Sequence, residues 1–583
     1  GAAVVDAFAS LNVVDLKVED DLTVTDDASV GGDLTVTGTV NTAGITGPKT
    51  NFVGSMLISN DAGTGTLDAA SNNTGFGNEV FDDLTSGDNN TGMGAGALDK
   101  VTTGSGNTAI GPDALGAATT HSNNTAVGLD TLKANIASDN TAIGSGALTA
   151  NTTGTNNTAV GFAALDANTT ANNNTAVGDG SLGANTTGAG NTAMGPDSLA
   201  ANTTASNNTA IGLDTLKANT TGGNNVAVGA DALKVNTGSF SNVAIGTRAL
   251  DAFNVTTATS TYNVAVGEDA LGATTTGTEN TAVGGEALIL NTTGSSNTGV
   301  GRDALASNTT ADNNTAVGKD ALTANTTGYR NTAIGATAGD AITTGNTNTA
   351  VGFECLTDLT TGSSNTAVGE QALANSTTSD SNTAVGHKAL KANTTGYGNT
   401  SVGSLSLDAS TTANNNTSVG RAAMTTSTTA ASNTAMGVSA LEALTTGGSN
   451  DAFGVAAGGS ITTGSSNVIF GNNSTTTSAG SSNAQGFGLN LSCQDNYTTI
   501  GQGTADCRNA HGEATWATVS DRRVKKDIED ATVGLSFIND LRPVTFNYKN
   551  KGDLPENFNG YEKGSTEVYR NSKSQHGFIA QEV

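Results

Sequence analysis

The sequence has little that would fill or cross-link an ordinary globular core. Its 583 residues include 1 Trp, 3 Cys and 5 Pro, and aromatic residues make up 4% of the chain. At roughly 150 residues per domain this length would give three or four globular domains, and so few large side chains cannot fill their cores. An ordinary multidomain enzyme is therefore not expected. Three cysteines without a Cys-x-x-Cys pair also exclude a disulfide framework and disfavour a thiolate metal site.

The chain has an excess of acidic residues. Asp and Glu number 52 against 24 Lys and Arg, which gives a formal net charge of −28. Phosphate contacts need clustered basic side chains, so this balance argues against a nucleic-acid partner and against an anionic membrane surface. No stretch approaches the roughly 20 consecutive apolar residues of a membrane-spanning helix, so membrane insertion is not expected.

A repeat of 17 residues occupies most of the sequence. The tetrad Asn-Thr-Ala-Val, with variants, precedes a glycine at 24 positions from Gly77 to Gly471. Successive glycines are 17 residues apart, except for one interval of 16 before Gly144 and one of 21 between Gly246 and Gly267. A period this strict indicates a structural repeat.

Each unit places a few apolar residues at fixed points. A leucine stands four residues after the glycine in 19 of the 24 units, as at Leu98, Leu216 and Leu322, and a small residue precedes it. Ala and Val stand before the glycine, and a later slot often reads Asn-Thr-Thr-Gly, as from Asn325. About four small apolar residues per unit cannot form a core alone.

Stacking of the units provides the burial that one unit lacks. Each unit contains two short β-prone runs, the Asn-Thr-Ala-Val run and the Thr-Thr segment, separated by glycine-rich turns, and this pattern predicts one coil of a parallel β-solenoid. Equivalent residues then align along the axis, with Asn above Asn in a hydrogen-bonded ladder. The density of Gly, Thr and Asn disfavours a helical solenoid. The predicted fold class is all-β, with a rod on the order of 115 Å long at about 4.8 Å per coil.

The thin coil also predicts association. We expect three chains to share a core around a common axis with the leucine slots turned inward, and a monomeric solenoid is the alternative. The 21-residue interval holds four additional residues around 253–262. We expect these to form an outward loop that leaves the stacking of later coils unshifted.

The segments on either side of the solenoid differ from it in pattern. Residues 1–50 have apolar residues every six positions and predict a β-rich stalk similar to the shaft segments of viral fibres. The solenoid is assigned to residues 51–471 and a transition segment, rich in Ser, Asn and Gly, to 472–519. Residues 520–583 hold 10 Lys and Arg and 10 Asp and Glu, so the excess acidity lies before them.

The last segment predicts a small α/β domain. Residues 530–541 have the apolar spacing of an amphipathic helix, and residues 544–548 alternate like a strand. A further element is expected to start at Gly577.

The repeat resembles a known class of fibrous proteins. The unit reads Asn-Thr-Ala-Val-Gly-Lys-Asp-Ala-Leu at residues 314–322, and it is similar to the head repeats of trimeric bacterial adhesins and of many phage tail-fibre proteins. The resemblance covers residues 73–471. It implies a trimeric parallel β-roll.

Three motifs in the last segment resemble a second family. They are Ser-Asp-Arg-Arg-Val-Lys-Lys-Asp-Ile at residues 520–528, Leu-Arg-Pro-Val at 541–544 and His-Gly-Phe-Ile-Ala-Gln-Glu-Val at 576–583. In this order they are similar to the S74-family intramolecular chaperone domain that ends phage tailspikes and tail fibres. The resemblance implies a domain that trimerises, assists folding of the β-rich fibre and then cuts itself off, and whose C-terminal helical part is expected beyond Val583.

The resemblance also assigns roles to individual residues. It implies that Ser520 is the nucleophile, that Lys525 is the general base and that the bond between Val519 and Ser520 is cut. His576 and Gly577 match a motif that assists. Enzymatic activity is thus expected only as self-cleavage by this domain, and the fibre itself is predicted not to be an enzyme.

The chemistry of the assigned pair is reasonable but not forced by the residues. A lysine serves as base only if its pKa falls from about 10.4 toward 7 or 8 through burial and neighbouring cations. Arg522, Arg523 and Lys526 are the available cations, and Lys526 is an alternative base. The simpler interpretation of this stretch is a solvated basic segment.

Other patterns carry less weight. Cys493, Cys507 and His511 could meet at a metal but lack paired ligand spacing, so no metal site and no cofactor are expected. Cys355 occupies the small residue slot before the leucine and is predicted to be an inert core thiol. Asp residues two places after several glycines, such as Asp113, predict a solvated acidic edge, with divalent-cation binding as the alternative.

Together these patterns predict a structural host-attachment fibre of a virus. Its expected partners are two further copies of itself and a host cell-surface receptor, either a glycan or a protein, and its expected location is the extracellular virion tail. A bacterial surface adhesin with the same rod is the first alternative. An ice-binding solenoid with aligned Thr rows is the second, although its Thr slot is altered at Ile342 and Ser376.

Overall fold

The computed structural model describes residues 44–46, 56–59, 70–513, 517–518, 544–556, 558, 561–570 and 575–577. The chain forms two compact units, Gly1–Trp516 and Ala517–Val583. The stalk pattern of residues 1–50 lies outside the described residues except for the backbone of Gly44–Thr46.

Short strands make up nearly all of the regular structure that is described, together with one 3-10 turn at Lys551–Asp553. The strands, in chain order, are β1 Gly44–Thr46, β2 Met56–Ser59, β3 Thr74–Phe76, β4 Thr91–Met93, β5 Thr108–Ile110, β6 Thr125–Val127, β7 Thr141–Ile143, β8 Thr158–Val160, β9 Thr175–Val177, β10 Thr192–Met194, β11 Thr209–Ile211, β12 Val226–Val228, β13 Val243–Ile245, β14 Val264–Val266, β15 Thr281–Val283, β16 Thr298–Val300, β17 Thr315–Val317, β18 Thr332–Ile334, β19 Thr349–Val351, β20 Thr366–Val368, β21 Thr383–Val385, β22 Thr400–Val402, β23 Thr417–Val419, β24 Thr434–Met436, β25 Asp451–Phe453, β26 Val468–Phe470, β27 Thr475–Thr476, β28 Gln485–Leu489, β29 Ser492–Cys493, β30 Tyr497–Gln502, β31 Ala505–Ala510, β32 Ala517–Thr518, β33 Val544–Phe546 and β34 Gln575–Gly577.

The coils stack as a parallel β-solenoid, as the repeat predicts. Each strand from β3 to β26 pairs in parallel with the strand of the next coil, and equivalent residues lie side by side. Thr298 pairs with Thr315 and Val300 with Val317, for example. This register builds one long sheet along one side of the solenoid, because each coil contributes a single three-residue strand to it.

The middle residue of each strand points inward and the two outer residues point outward. In β17, Ala316 is buried while Thr315 and Val317 are partly exposed. Side chains alternate between the two faces of a strand, so Thr and Val share the outer face. Of the two apolar residues that stand before each glycine, only the small Ala therefore contributes to the interior, and the Val does not.

The leucine of each unit packs inside its own chain. Leu322 is 0% exposed in the single chain, and its backbone adopts the left-handed conformation with φ of 51°. A Cβ added at Gly299, a middle position of strand β16, would lie 3.4 Å from the Leu288 side chain, so the leucine fills the space beneath the strand of the next coil. The prediction that leucine slots face a core shared by three chains is therefore wrong, because these turns fold each leucine back under its own sheet.

Asparagine forms two ladders inside the solenoid, which confirms the predicted stacking of Asn on Asn. Just before the strands, the Asn314 backbone N–H donates to Asn297 Oδ1 at 3.0 Å, and Asn314 Nδ2 donates to the Gly328 carbonyl at 2.8 Å. In the Asn-Thr-Thr slot, Asn325 Nδ2 donates to Asn308 Oδ1 at 3.0 Å. These buried amides satisfy backbone groups of neighbouring coils that would otherwise lack partners.

The Thr-Thr segment forms a turn, so the prediction of a second strand per unit is wrong. The Thr326 hydroxyl donates to the Thr343 carbonyl of the next coil at 3.1 Å. Ser and Thr hydroxyls that bond nearby backbone groups favour turns over strands. The hydroxyls of this Thr row therefore serve the stacking of coils, which weakens the ice-binding alternative that relied on free Thr rows.

The insertion leaves the stacking register intact. Val243 pairs with Val264 across the 21-residue interval, in the same manner as residues 17 apart elsewhere. Phe253 is fully buried in the slot that Asn236 occupies one coil earlier, whereas residues 256–260 are exposed. The outward loop is thus confirmed for 256–260, while Phe253 belongs to the core because it fills the place of a ladder asparagine.

The sheet continues past Gly471 into the segment assigned as a transition. Phe470 pairs with Phe487 and Phe487 with Ile500, both in parallel register. Strand β31 then turns back antiparallel on β30, with Cys507 opposite Ile500. A hairpin therefore ends the parallel sheet.

Candidate functional site

The C-terminal unit brings two of the three chaperone-like motifs together. Strands β33 and β34 pair antiparallel, with Thr545 opposite His576 and Val544 opposite Gly577. The strand predicted over 544–548 is present at its first three residues. Because Val544 ends the Leu-Arg-Pro-Val motif and His576 begins the last motif, strand pairing holds these distant stretches side by side.

A second antiparallel contact extends this pairing. Asn550 and Val568 form a bridge, and the Tyr569 N–H donates to the Lys549 carbonyl at 3.0 Å. Lys551 Nζ lies 2.7 Å from Glu567 and 3.1 Å from Glu562. The hydrogen bonds to Glu567 and then Glu562 raise the pKa of Lys551, which favours its charged form.

Aromatic rings pack around the same strands. Phe546 meets Tyr548 edge-on at 5.4 Å, and Phe558 meets Tyr569 at 5.8 Å between ring centroids. The Arg570 guanidinium lies 5.8 Å from the Tyr548 ring and 5.5 Å from the Tyr569 ring. Edge-to-face rings and a cation over a ring are attractive arrangements, and sequence reasoning missed this cluster because its members are spread over 25 residues of irregular chain.

Most of the residues assigned to self-cleavage lie outside the part of the chain that the structure describes. Val519, Ser520 and Lys525 lie outside the described residues, as do Lys526 and the helix predicted over 530–541. Of His576 and Gly577, the backbone is placed in β34. The Ser520–Lys525 pair therefore stays a prediction, with His576 positioned beside the motif that ends at Val544.

The outer face of the solenoid sheet carries an unbroken apolar row. The third position of strands β3 to β26 is always Val, Ile, Met or Phe, although it points away from the interior. Exposure reaches 42% at Ile334 and 55% at Phe76. The repeat alone identifies this Val as one of the apolar residues of the unit. The alternation Thr-Ala-Val, whose middle residue is the small inward one, is the signal that identifies its outward direction.

The predicted acidic row lies on the solenoid surface with lysines between its members. Lys217 Nζ lies 2.9 Å from Asp214 and 3.0 Å from Asp197 of the preceding coil. Lys133 joins Asp113 and Asp130 in the same way. The hydrogen bond from Lys217 lowers the pKa of Asp214, and Asp214 in turn raises the pKa of Lys217.

The metal candidate drawn from Cys493, Cys507 and His511 is not assembled. Cys493 is buried and Cys507 is exposed, and no three His, Cys, Asp or Glu side chains in the described part of the chain converge as ligands. Cys355 is buried, and its thiol donates to the Ala367 carbonyl at 3.2 Å. Burial raises the pKa of Cys355 to about 12 and that of Cys493 to about 11.

Thiol labelling should therefore distinguish the three cysteines. In the folded Cys507→Ser variant, a maleimide at pH 8 should add no mass, because Cys355 and Cys493 are buried and carry almost no thiolate. After unfolding in denaturant, the same variant should take up two adducts. Intact-mass spectrometry checks this result, and labelling of the folded variant would contradict the placement of these side chains.

The comparisons with known proteins concern the C-terminal segment. Residues 520–583 match the Peptidase S74 family, described as the chaperone of endosialidase. No curated protein and no solved structure matches the chain. Within the described residues, no helix has the length and apolar character needed to cross a membrane. The match and the long β-solenoid together fit a tail fibre with a C-terminal chaperone.

Proposed function

We propose that this chain is the host-attachment rod of a viral tail fibre or tailspike, and that its last segment is an intramolecular chaperone that acts on the rod and then leaves it. The observation that carries the proposal is the match of residues 520–583 to the chaperone family directly after a solenoid that ends near Ala510. The units of the solenoid differ little from one another, so coils of a folding chain can stack in the wrong register. A chaperone that acts during folding prevents this error.

In this proposal the chaperone brings three copies together. Each copy contributes one rod, and the assembled fibre lies on the extracellular virion tail and contacts a glycan or protein receptor of the host cell. Loops such as residues 256–260, which leave the stacking register unchanged, are the parts of a repeat scaffold best suited to contact a partner.

Self-cleavage separates the two parts. The Ser520 hydroxyl attacks the Val519 carbonyl while neutral Lys525 takes the hydroxyl proton. The peptide bond breaks, the Ser520 nitrogen gains a proton, and Val519 is held as an ester on the Ser520 oxygen. Water hydrolyses the ester, leaving a Val519 carboxylate and a free Ser520 amine.

His576 and Gly577 would assist from β34, next to the Leu-Arg-Pro-Val motif. We expect the cut only after trimerisation, when neighbouring copies complete the site. Cleavage then marks a correctly assembled fibre.

Mass measurements on the natural full-length protein test this proposal. We expect purified fibre to consist of chains ending at Val519, and to sediment as three such chains. A single-chain particle would contradict the proposed trimer, and chains that retain residues after Val519 would contradict self-cleavage. A bacterial surface adhesin remains the alternative, and finding the chain in purified virions rather than in a cell envelope decides between the two.

A further inference from the structure

We propose that the apolar row on the outer face of the solenoid sheet is the surface along which copies of this chain associate, in parallel and in register. The row consists of the third residue of each strand from β3 to β26. Its members are Phe76, Met93, Ile110, Val127, Ile143, Val160, Val177, Met194, Ile211, Val228, Ile245, Val266, Val283, Val300, Val317, Ile334, Val351, Val368, Val385, Val402, Val419, Met436, Phe453 and Phe470.

The fold of a single chain does not require this row to be apolar. The interior is complete without it, since the leucine and the strand Ala of each coil are fully buried in one chain. Strand propensity is not a sufficient reason either. The first residue of the same strands also points outward, and it is Thr in 19 of 24 cases, whereas the third residue is never Thr. Thr is as suitable for a strand as Val, so the third position is selected for being apolar.

The row is also free of charge in a strongly acidic chain. None of its 24 members is ionisable, and in the neighbouring first-position row Asp451 is the one charged residue. The acidic side chains lie elsewhere on the coil, as at Asp197 and Asp214. Two copies of a chain with net charge −28 repel each other over most surfaces, and this face lets them meet without burying carboxylates.

The area of the row is sufficient for a stable contact. A Val, Ile, Met or Phe side chain has about 60–120 Å² of apolar area. Ten of the 24 row members are 37–55% exposed, and the 13 Val residues and Phe453 are partly exposed. Twenty-four such residues present on the order of 800 Å² per chain, which is about the area that each partner contributes to a standard stable interface. The adjoining Thr methyl groups add to it.

The repeat identifies the occupant as another copy. A second copy of the solenoid has the same spacing and the same order of row residues, so that Val can meet Val at every coil over the whole length. In the proposed function the chaperone segments, which follow the C-terminal end of the solenoid in sequence, associate with one another, so the copies run parallel. The row is also bulkiest at that end of the solenoid, where Phe453, Phe470 and Phe487 stack with centroid distances of 4.4 and 5.5 Å.

The number of associating chains, three, rests on the proposed function. The position of the contact rests on the exposed apolar row of the solenoid. It replaces the leucine slots as the expected interface. The aromatic end, which is nearest in sequence to the chaperone segment, is where association should begin.

Cysteine cross-linking tests the position of the contact. In a Cys507→Ser background, Val317→Cys should form an interchain disulfide on mild oxidation, seen as a two-chain band in denaturing gels. Thr327→Cys, in the turn of the same coil, should not. Thr327 is more exposed than Val317 in the single chain, so random collisions would favour the control.

The outcomes separate the two proposals. If the parent protein sediments as a multimer but Thr327→Cys cross-links and Val317→Cys does not, the interface is elsewhere and this inference fails while the trimer stands. If the parent sediments as one chain, the proposed trimer fails as well.

A second set of variants tests the same row by charge. Val300→Glu, Val317→Glu and Ile334→Glu combined should speed dissociation of the multimer at least tenfold. Thr310→Glu, Thr327→Glu and Thr344→Glu combined, in the same three coils, should leave the rate unchanged. Equal rates for both sets would overturn the inference, provided circular dichroism shows the parental β content in each.

Discussion

Replacing Gly284 with alanine is expected to destabilise the solenoid by about 3–5 kcal/mol, in the range of the largest single-residue effects. Gly284 follows strand β15 and has a φ of +137°, a conformation that L-residues rarely adopt. An added Cβ would lie 2.5 Å from the Gly301 carbonyl oxygen of the next coil. Both the backbone and the stack would have to move, and the opening of one coil interface weakens its neighbours because each coil contacts only the next.

Gly285 is the matched control for this substitution. It is the next residue in the chain, an added Cβ there meets no atom within 4 Å, and its φ lies outside the left-handed range. Gly285→Ala should change stability by less than about 1 kcal/mol. Denaturation midpoints followed by circular dichroism, with limited proteolysis to locate the opened coil, provide the comparison. Similar losses for the two variants would show that the stack does not require glycine at position 284.

Ser520→Ala is expected to abolish the proposed cleavage between Val519 and Ser520. Alanine has no hydroxyl to attack the Val519 carbonyl, so the full-length chain should accumulate while the trimer still forms. Lys525→Ala should have the same effect because the nucleophile then lacks its base. Denaturing gels and intact mass measure the cleaved fraction, and sedimentation measures assembly.

Lys526→Ala is the control for that experiment, since it removes a neighbouring positive charge and leaves the assigned base. The Lys526→Ala protein should still be cut between Val519 and Ser520. The assignment fails if Ser520→Ala is processed like the parent, or if the new N-terminus of the released segment is not Ser520. Loss of cleavage in Lys526→Ala with retention in Lys525→Ala would identify Lys526 as the base instead.

Sequence periodicity predicts the solenoid but not the direction of every side chain. The 17-residue spacing and the repeated Asn predict parallel stacking and amide ladders, because identical neighbours must align. The position of Leu322 depends on a left-handed backbone at φ of 51°, which no propensity for leucine suggests. Phe253 shows the same limit, since the repeat predicts a ladder Asn at its slot and gives no reason for a buried ring there.

The sequence predicts the motifs of the C-terminal unit, but few of the contacts between them. The alternation around Val544 indicates a strand, whereas its partner His576 comes after about 30 residues with little periodicity. Long-range pairing of this kind carries no local signal. The ring cluster of Tyr548, Tyr569 and Arg570 forms only once that pairing brings its members together.

The constant register across the insertion has a consequence for how such rods evolve. Val243 pairs with Val264 despite the longer interval, so the register of each coil depends only on its pairing with the strands before and after it. Loss or duplication of one 17-residue unit would therefore leave the stacking register of the remaining coils unchanged. The length of the solenoid would then change in steps of about 4.8 Å, the spacing of one strand.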